Sequence, residues 1–367
     1  MRVVFMGTPH FAVPALEALC GHAAPGRLWL AGLDIVGVVT RPDKPAGRGR
    51  ALAESPVKQF AATCGIPVLQ PGPLRRPAAL DQLRQLAPDL IVVSAFGQLL
   101  PPEVLSLPRH GCLNVHASLL PRHRGASPVA AAILAGDAQT GISIMLMDAG
   151  LDTGPILAQR ALPIAPHESA GELTARLATL GGELLIETLP LWLAQSIVPT
   201  AQDATRATNT HLLRKADGHL DWDLPASELM RHIRAYTPAP GAFTNWQGHL
   251  IKVSRASVLV PADDDTPGEP GTLYLARTAD GETLLACACG EEALSLEVLQ
   301  LEGKRALPAA EFLRGHPAIV GARLGAPEAS SIAPVVGAPS AIAAELAEPD
   351  AVEPRDAGEA RPADPGA

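Results

Sequence analysis

Short apolar runs alternate with helical stretches through the first 160 positions, and nothing else in the chain constrains its fold as tightly. The runs are Arg2–Met6 (RVVFM), Ile35–Thr40 (IVGVVT), Pro67–Leu69, Leu90–Ser94 (LIVVS), Cys112–His116 (CLNVH) and Ile142–Met147 (ISIMLM). Helical patterns lie between them over Val13–Cys20 and Pro56–Cys64. Such alternation builds βαβ units, so the expected fold class is α/β with a mostly parallel sheet. Continuous apolar strands suit burial on both faces. Ligands of such sheets bind outside the carboxyl ends of the strands, which places Asn114 and His116 at one binding edge.

Beyond position 160 the texture changes. Residues 170–197 read as one long helix, with Leu173, Leu177, Leu180, Leu184 and Leu185 at helical spacing. Residues 198–210 are polar and aperiodic and read as a linker. One helix near Ala226–Ala235 then precedes short runs at His249–Ser254, Thr272–Ala276, Thr283–Ala288 and Leu294–Leu299, the pattern of a small all-β barrel. Residues 328–367 hold twelve Ala and six Pro without periodicity and read as disordered. The division expected is residues 1–200 for a first domain, 201–210 for a linker, 211–326 for a second domain and 327–367 for a tail.

Composition excludes several classes. With 367 residues, 47% hydrophobic and 18% charged, the chain can bury a full core. It has no apolar run long enough to span a bilayer and no signal-peptide profile at its start. Five scattered cysteines do not make a disulfide scaffold, so a reducing cytoplasm is expected. The net charge of −9 is uneven, because eight acidic residues and two arginines in 328–367 account for −6 and leave the body at −3. Local basic patches therefore decide what the body binds. The stretch Arg41–Lys58 holds five basic and two acidic residues, with Pro42, Pro45, Gly47 and Gly49 keeping it irregular. At eighteen residues it is long for a βα connection. Arg48 and Arg50 are candidates for phosphate contacts. In the second domain Arg206, Arg214, Lys215, Arg231 and Arg234 are the basic residues that cluster.

Asn114 and His116 are two apart, so on a strand they share a face. An amide donor and an imidazole aimed at one point can stabilise a carbonyl oxygen that gains charge. The same pair could equally close a turn as satisfied buried polar groups. Ser118 lacks the glycine-flanked elbow of a serine nucleophile. His110, His116 and His123 have no cysteine or carboxylate at ligand spacing, so no metal site is expected. Asp152, in MDAGLDTGP, can orient the imidazole or take a proton, or it can cap its own turn. Gly7-Thr8-Pro9 is not the glycine pattern of a dinucleotide site.

The chain resembles the methionyl-tRNA formyltransferase family from Met1 to about Gly325. The resemblance rests on FMGTPHFAVPAL, RPDKPAGRGR and AFGQLLP, and on the block GCLNVHASLLPRHRGASPVAAAILAGDAQTGISIMLMDAGLDTGPIL. DGHLDW and IRAYTPAPGAF extend it into the second domain. It implies a Rossmann-like formyltransferase domain followed by an OB-like barrel that binds tRNA. It implies Asn114, His116 and Asp152 as the catalytic trio, with Asn114 and protonated His116 holding an oxyanion. It implies Ser118, Leu119, Leu120 and Pro121 as part of a folate site, and Arg41, Lys44, Arg48 and Arg50 as tRNA contacts. The reaction implied takes a formyl group from 10-formyltetrahydrofolate to methionyl initiator tRNA, without a metal. A cytoplasmic monomer acting away from membranes is expected. Lys44 stands where many members have Arg, and Ala239 where an aromatic sits between two prolines.

Overall fold

A computed structural model describes residues 1–21, 32–46, 51–259, 268–278 and 281–325. The expected disordered tail lies outside the described residues. Residues Met1–Ala326 form one compact unit.

The first strand, β1 (Arg2–Gly7), leads through α1 (Val13–Leu19) to β2 (Asp34–Val39). The long basic stretch follows. It is not wholly irregular as expected, because β3 (Lys44–Ala46) and β4 (Ala51–Ala53) pair antiparallel. Proline leaves a strand only its donor-free edge, and a two-stranded hairpin offers such an edge to Pro45. Next come α2 (Pro56–Thr63), β5 (Val68–Leu69), α3 (Pro77–Gln85), β6 (Leu90–Ser94), α4 (Pro102–Leu105) and β7 (Cys112–His116). The chain continues through β8 (Arg124–Gly125), α5 (Pro128–Leu134), β9 (Gln139–Leu146), β10 (Ile156–Pro163) and α6 (Ala170–Leu193). α2 to α5 all carry a proline at a first helical position, where its missing N–H costs nothing.

The principal sheet runs β10-β9-β7-β6-β1-β2-β5. The five adjoining strands from β7 to the β5 edge are parallel, as the alternation requires, and β9 and β10 are antiparallel additions at the other edge. The order reverses at β1, which has β2 on one side and β6 on the other, so a crevice opens at the carboxyl ends of β1 and β6. α6 begins in a capping box, Ser169 with Glu172. It stops four residues short of the expected end, past Pro190, where Gln195 takes a left-handed turn at φ 56°. α6 lies directly under β7. A Cβ on Gly181 would stand 2.8 Å from Cγ1 of Val115, so a glycine there sets the spacing.

The second lobe has α7 (Ala226–Tyr236) and an antiparallel sheet of β12 (Ala242–Trp246), β13 (His249–Leu259), β14 (Leu273–Arg277), β15 (Thr283–Ala288) and β16 (Ala293–Leu301). The strand order is β12-β13-β16-β15-β14. β12, shielded by DGHLDW, is a strand the expected set lacked, as is the short Leu307–Pro308 that pairs with β16. Trp222 of that motif is buried and donates from Nε1 to Thr244 Oγ1 at 3.1 Å. One continuous apolar cluster runs from β1 through α6 into this lobe. Arg234 of α7 donates to the carbonyls of Glu168 and Ala165, at 2.9 and 3.1 Å. Arg231 packs at Gly136. Both arginines therefore join the lobes, which leaves Arg206, Arg214 and Lys215 as the exposed members of the expected cluster. Ala239 is exposed, so the missing aromatic opens no gap in the core.

Candidate active site

β7 carries Val115 toward α6 and turns Asn114 and His116 to the opposite face. On that face a second apolar cluster ends at Cys112 and Met147, and the polar residues begin there. Asn114 is 9% exposed and His116 6%.

Asp152 reaches them by an unexpected route. In a parallel arrangement the loop after β9 would emerge at the carboxyl edge. β9 instead runs antiparallel, with Leu146 opposite Leu113 and Met147 N donating to Cys112 O at 2.8 Å. The loop leaves from the far end of β7 and folds back across its polar face. Its neck is closed by Leu146 N donating to Pro155 O at 2.9 Å. Gly154 fits this neck because a Cβ there would lie 1.9 Å from Leu146 O. Asp152 itself sits in the left-handed region at φ 52°, a strained conformation that the surrounding bonds must hold.

Three groups converge on the Asp152 carboxylate. Asn114 Nδ2 donates to Oδ1 at 3.3 Å, and the Gly125 amide donates to Oδ2 at 2.8 Å. His116 Nδ1 stands 3.6 Å from Oδ2. The other ring nitrogen, Nε2, is 3.0 Å from His123 O, a carbonyl that can only accept. Nε2 therefore carries a hydrogen, and Nδ1 is the nitrogen turned to the carboxylate. His123 is fixed in turn, since its amide donates to Thr208 Oγ1 at 2.8 Å and its Nε2 lies 2.7 Å from Asp137 Oδ2.

Ser118–Pro121 follow β7 directly. Ser118 is fully buried, and its hydroxyl donates to Arg122 O at 2.6 Å. Leu120 is also buried, and its amide donates to Ser143 Oγ at 3.0 Å. Leu119 and Pro121 are partly exposed. Arg41 leaves the carboxyl end of β2 with its amide donating to Thr8 Oγ1 at 3.3 Å. A Cβ on Gly97 would stand 3.3 Å from its guanidinium, so Arg41 borders the crevice after β6. Lys44 is exposed on β3. The neighbouring Asp43 pairs with Lys58 at 2.5 Å, and this bond holds its carboxyl below the usual range. Arg48 and Arg50 lie outside the described residues. Among the described residues no group of His, Cys, Asp and Glu could hold a metal ion, and no helix is long and apolar enough to cross a membrane.

Sequence reading missed the stretch that closes this site. Residues 198–210 are not a free linker, since Thr200 pairs with Ile156 and β11 (Asn209–Thr210) pairs with β8. Gln202 contacts both Arg124 and the Asp152 loop. No periodicity marks such a segment, because its bonds go to backbone groups distant in sequence.

The family model of the formyl transferase matches residues 1–189, and that of the formyl transferase C-terminal domain matches 212–317. The methionyl-tRNA formyltransferase of Myxococcus xanthus is 49% identical over 315 residues, 86% of this chain and 95% of that protein. That of a Roseiflexus species is 49% identical, over 89% of this chain and 95% of the relative. Among solved structures, the N-formyltransferase from Helicobacter canadensis, in complex with folinic acid and dTDP-3-aminofucose, aligns at a TM-score of 0.56. It is 15% identical, covers 81% of this chain and 99% of its own, and so bears on the fold alone. With two matched domains in order and nearly half of all positions shared across almost whole relatives, the chain belongs to the methionyl-tRNA formyltransferase family, a family of formyl-transferring enzymes.

Proposed function

We propose that this enzyme moves the formyl group of 10-formyltetrahydrofolate to the free amino group of methionyl initiator tRNA, giving N-formylmethionyl-tRNA. The observation that carries the reading is the convergence of Asn114, His116 and Asp152 on one point of the β7 face. The folate supplies the activated formyl carbon. Asn114 spends one Nδ2 hydrogen on Asp152 and keeps a second for the formyl oxygen as the amine attacks. Both ring nitrogens of His116 already face acceptors, so Asn114 makes the direct contact. With hydrogens on both nitrogens, the ring would satisfy both partners and place positive charge beside the oxygen. Asp152 accepts the proton leaving the amine, directly or through one water, as the bond to the folate nitrogen breaks and that nitrogen is protonated.

We assign the donor to the crevice beside Ser118–Pro121. Ser118 and Leu120 are buried there, and Leu119 and Pro121 are partly exposed. Exposed Leu99 and Leu151, at 55% and 50%, offer apolar edges for a flat ring on the loops after β6 and β9. Arg41, Lys44, Arg48 and Arg50 are assigned to phosphates of the tRNA. Residues 1–200 are read as the catalytic domain, 201–210 as the connection and 211–326 as the tRNA-binding domain of a cytoplasmic monomer.

The test offers the purified protein 10-formyltetrahydrofolate with either charged initiator methionyl-tRNA or glycinamide ribonucleotide. Formylated product with the tRNA alone is expected. Product with the small acceptor alone would overturn the assignment of the second lobe.

A further inference from the structure

The side chain of Gln202 uses all four of its hydrogen-bonding positions on two segments. Oε1 accepts from Arg124 Nε at 3.0 Å and Nη2 at 2.8 Å. Nε2 donates to the carbonyls of Asp152 at 2.8 Å and Gly154 at 2.7 Å. The amide can be placed only one way, because reversing it would set NH₂ against a guanidinium and oxygen against two carbonyls.

These contacts bear on the strained part of the site. Asp152 is held at φ 52°, and Gly154 is pressed against Leu146 O. The two carbonyls turned inward between them are met by a single side chain. On its other edge Gln202 grips Arg124, whose neighbour Gly125 donates its amide to the Asp152 carboxylate. Gln202 thus ties the backbone of Asp152 to the segment that binds its side chain. The segment that bears it is itself stitched down, by Thr200 on Ile156 and by Thr210 Oγ1 donating to Arg124 O at 3.0 Å.

We propose that Gln202 is a positioning residue for the formyl transfer, which sets the Asp152 carboxylate against His116 and Asn114 from the segment joining the two lobes. The inference rests on the function proposed above. Without the amide, two inward carbonyls lose their donors and the loop relaxes from its left-handed turn. A shift of about 1 Å at such a group lowers turnover by up to roughly 100-fold.

Gln202→Met keeps the length of the side chain and removes every bond. Asp203→Ala is the control, because it loosens the same segment by removing the cap on Thr205 and touches neither Arg124 nor the Asp152 loop. Gln202→Met is expected to lower kcat roughly 10- to 100-fold, with the KM for 10-formyltetrahydrofolate within about threefold and a displaced pH profile of kcat. Asp203→Ala is expected to stay within about twofold of the wild type. Amide hydrogen exchange at Gly125 reports the Asp152 contact without any turnover, and should speed up about tenfold or more in Gln202→Met only. Unchanged Gly125 exchange, or an equal loss of kcat in Asp203→Ala, would overturn the positioning role. A wild type that transfers no formyl group would overturn the functional reading, and the exchange measurement would still decide the geometry.

Discussion

In the proposed reaction Asn114, His116 and Asp152 do different work although they share one network. Asp152 is the group on which the others depend, since it accepts from Asn114 and Gly125 and faces His116. Asp152→Ala is expected to lower kcat by about 10²–10³ while far-UV circular dichroism stays that of the wild type. An unaltered kcat would return the residue to the role of a turn cap. Gly154→Ala should be more damaging to the fold than to any single contact, because the added methyl meets Leu146 O at 1.9 Å. A Tm lowered by several degrees is expected, and an unchanged Tm would show that the loop neck is looser than described. The Asn-x-His alternation was legible because a strand puts alternate residues on one face. Asp152 was legible from the residues as either a partner of the imidazole or a turn cap, and resemblance alone chose between the two. Gln202 was not legible, since its partners are backbone carbonyls about 50 residues earlier that no local pattern reports.

The elements follow the hydrophobic pattern closely where strands are buried on both sides. Leu90–Ser94 and Cys112–His116 end where the apolar runs end. Direction is another matter, for β9 reads like its parallel neighbours and yet runs antiparallel, because apolar content records burial and not orientation. The short helices α3 and α5 were not among the expected elements, although α1 and α2, of similar length, were. The long helix α6 was visible, and its capping box gives a quantitative test. Ser169→Ala should cost about 1 kcal/mol in denaturant unfolding, and a loss under a few tenths would mean that tertiary packing alone fixes the helix start. The bonds from Ser169 hold the Glu172 carboxyl below its ordinary value of 4.5. A depressed carboxyl stabilises the fold above its unfolded pKa, and that contribution is lost as pH falls through the folded value. The stability of Glu172→Gln should therefore depend less on pH below about 4.5 than that of the wild type. Parallel acid-unfolding curves for the two proteins would contradict this.

Across the whole molecule, the two lobes behave as one packed body within Met1–Ala326, with a continuous core and Arg234 bridging to the turn before α6. The change of texture near residue 200 was legible as a change from α/β to β. Its mechanical meaning was not, because the polar segment between the lobes is bonded to β8, to Ile156 and to the Asp152 loop rather than free. Charge was equally misleading as a total. The second-domain cluster expected to bind nucleic acid is split by the fold, with Arg231 and Arg234 spent on the interface and Arg206, Arg214 and Lys215 left exposed. If Arg41 and Lys44 meet tRNA phosphates, each replaced by Ala should weaken tRNA binding and reduce the slope of log affinity against log salt by about one. Identical slopes would remove them from the interface. The central claim is that the amide of Asn114, held by Asp152 on the β7 face, stabilises the formyl oxygen as the group passes to methionyl-tRNA. Single-turnover formylation by wild type and Asn114→Ala, with tRNA affinity measured alongside, tests it most directly. The account predicts a rate about 10²–10³ lower in the variant with tRNA affinity preserved, and equal rates in the two proteins would contradict it.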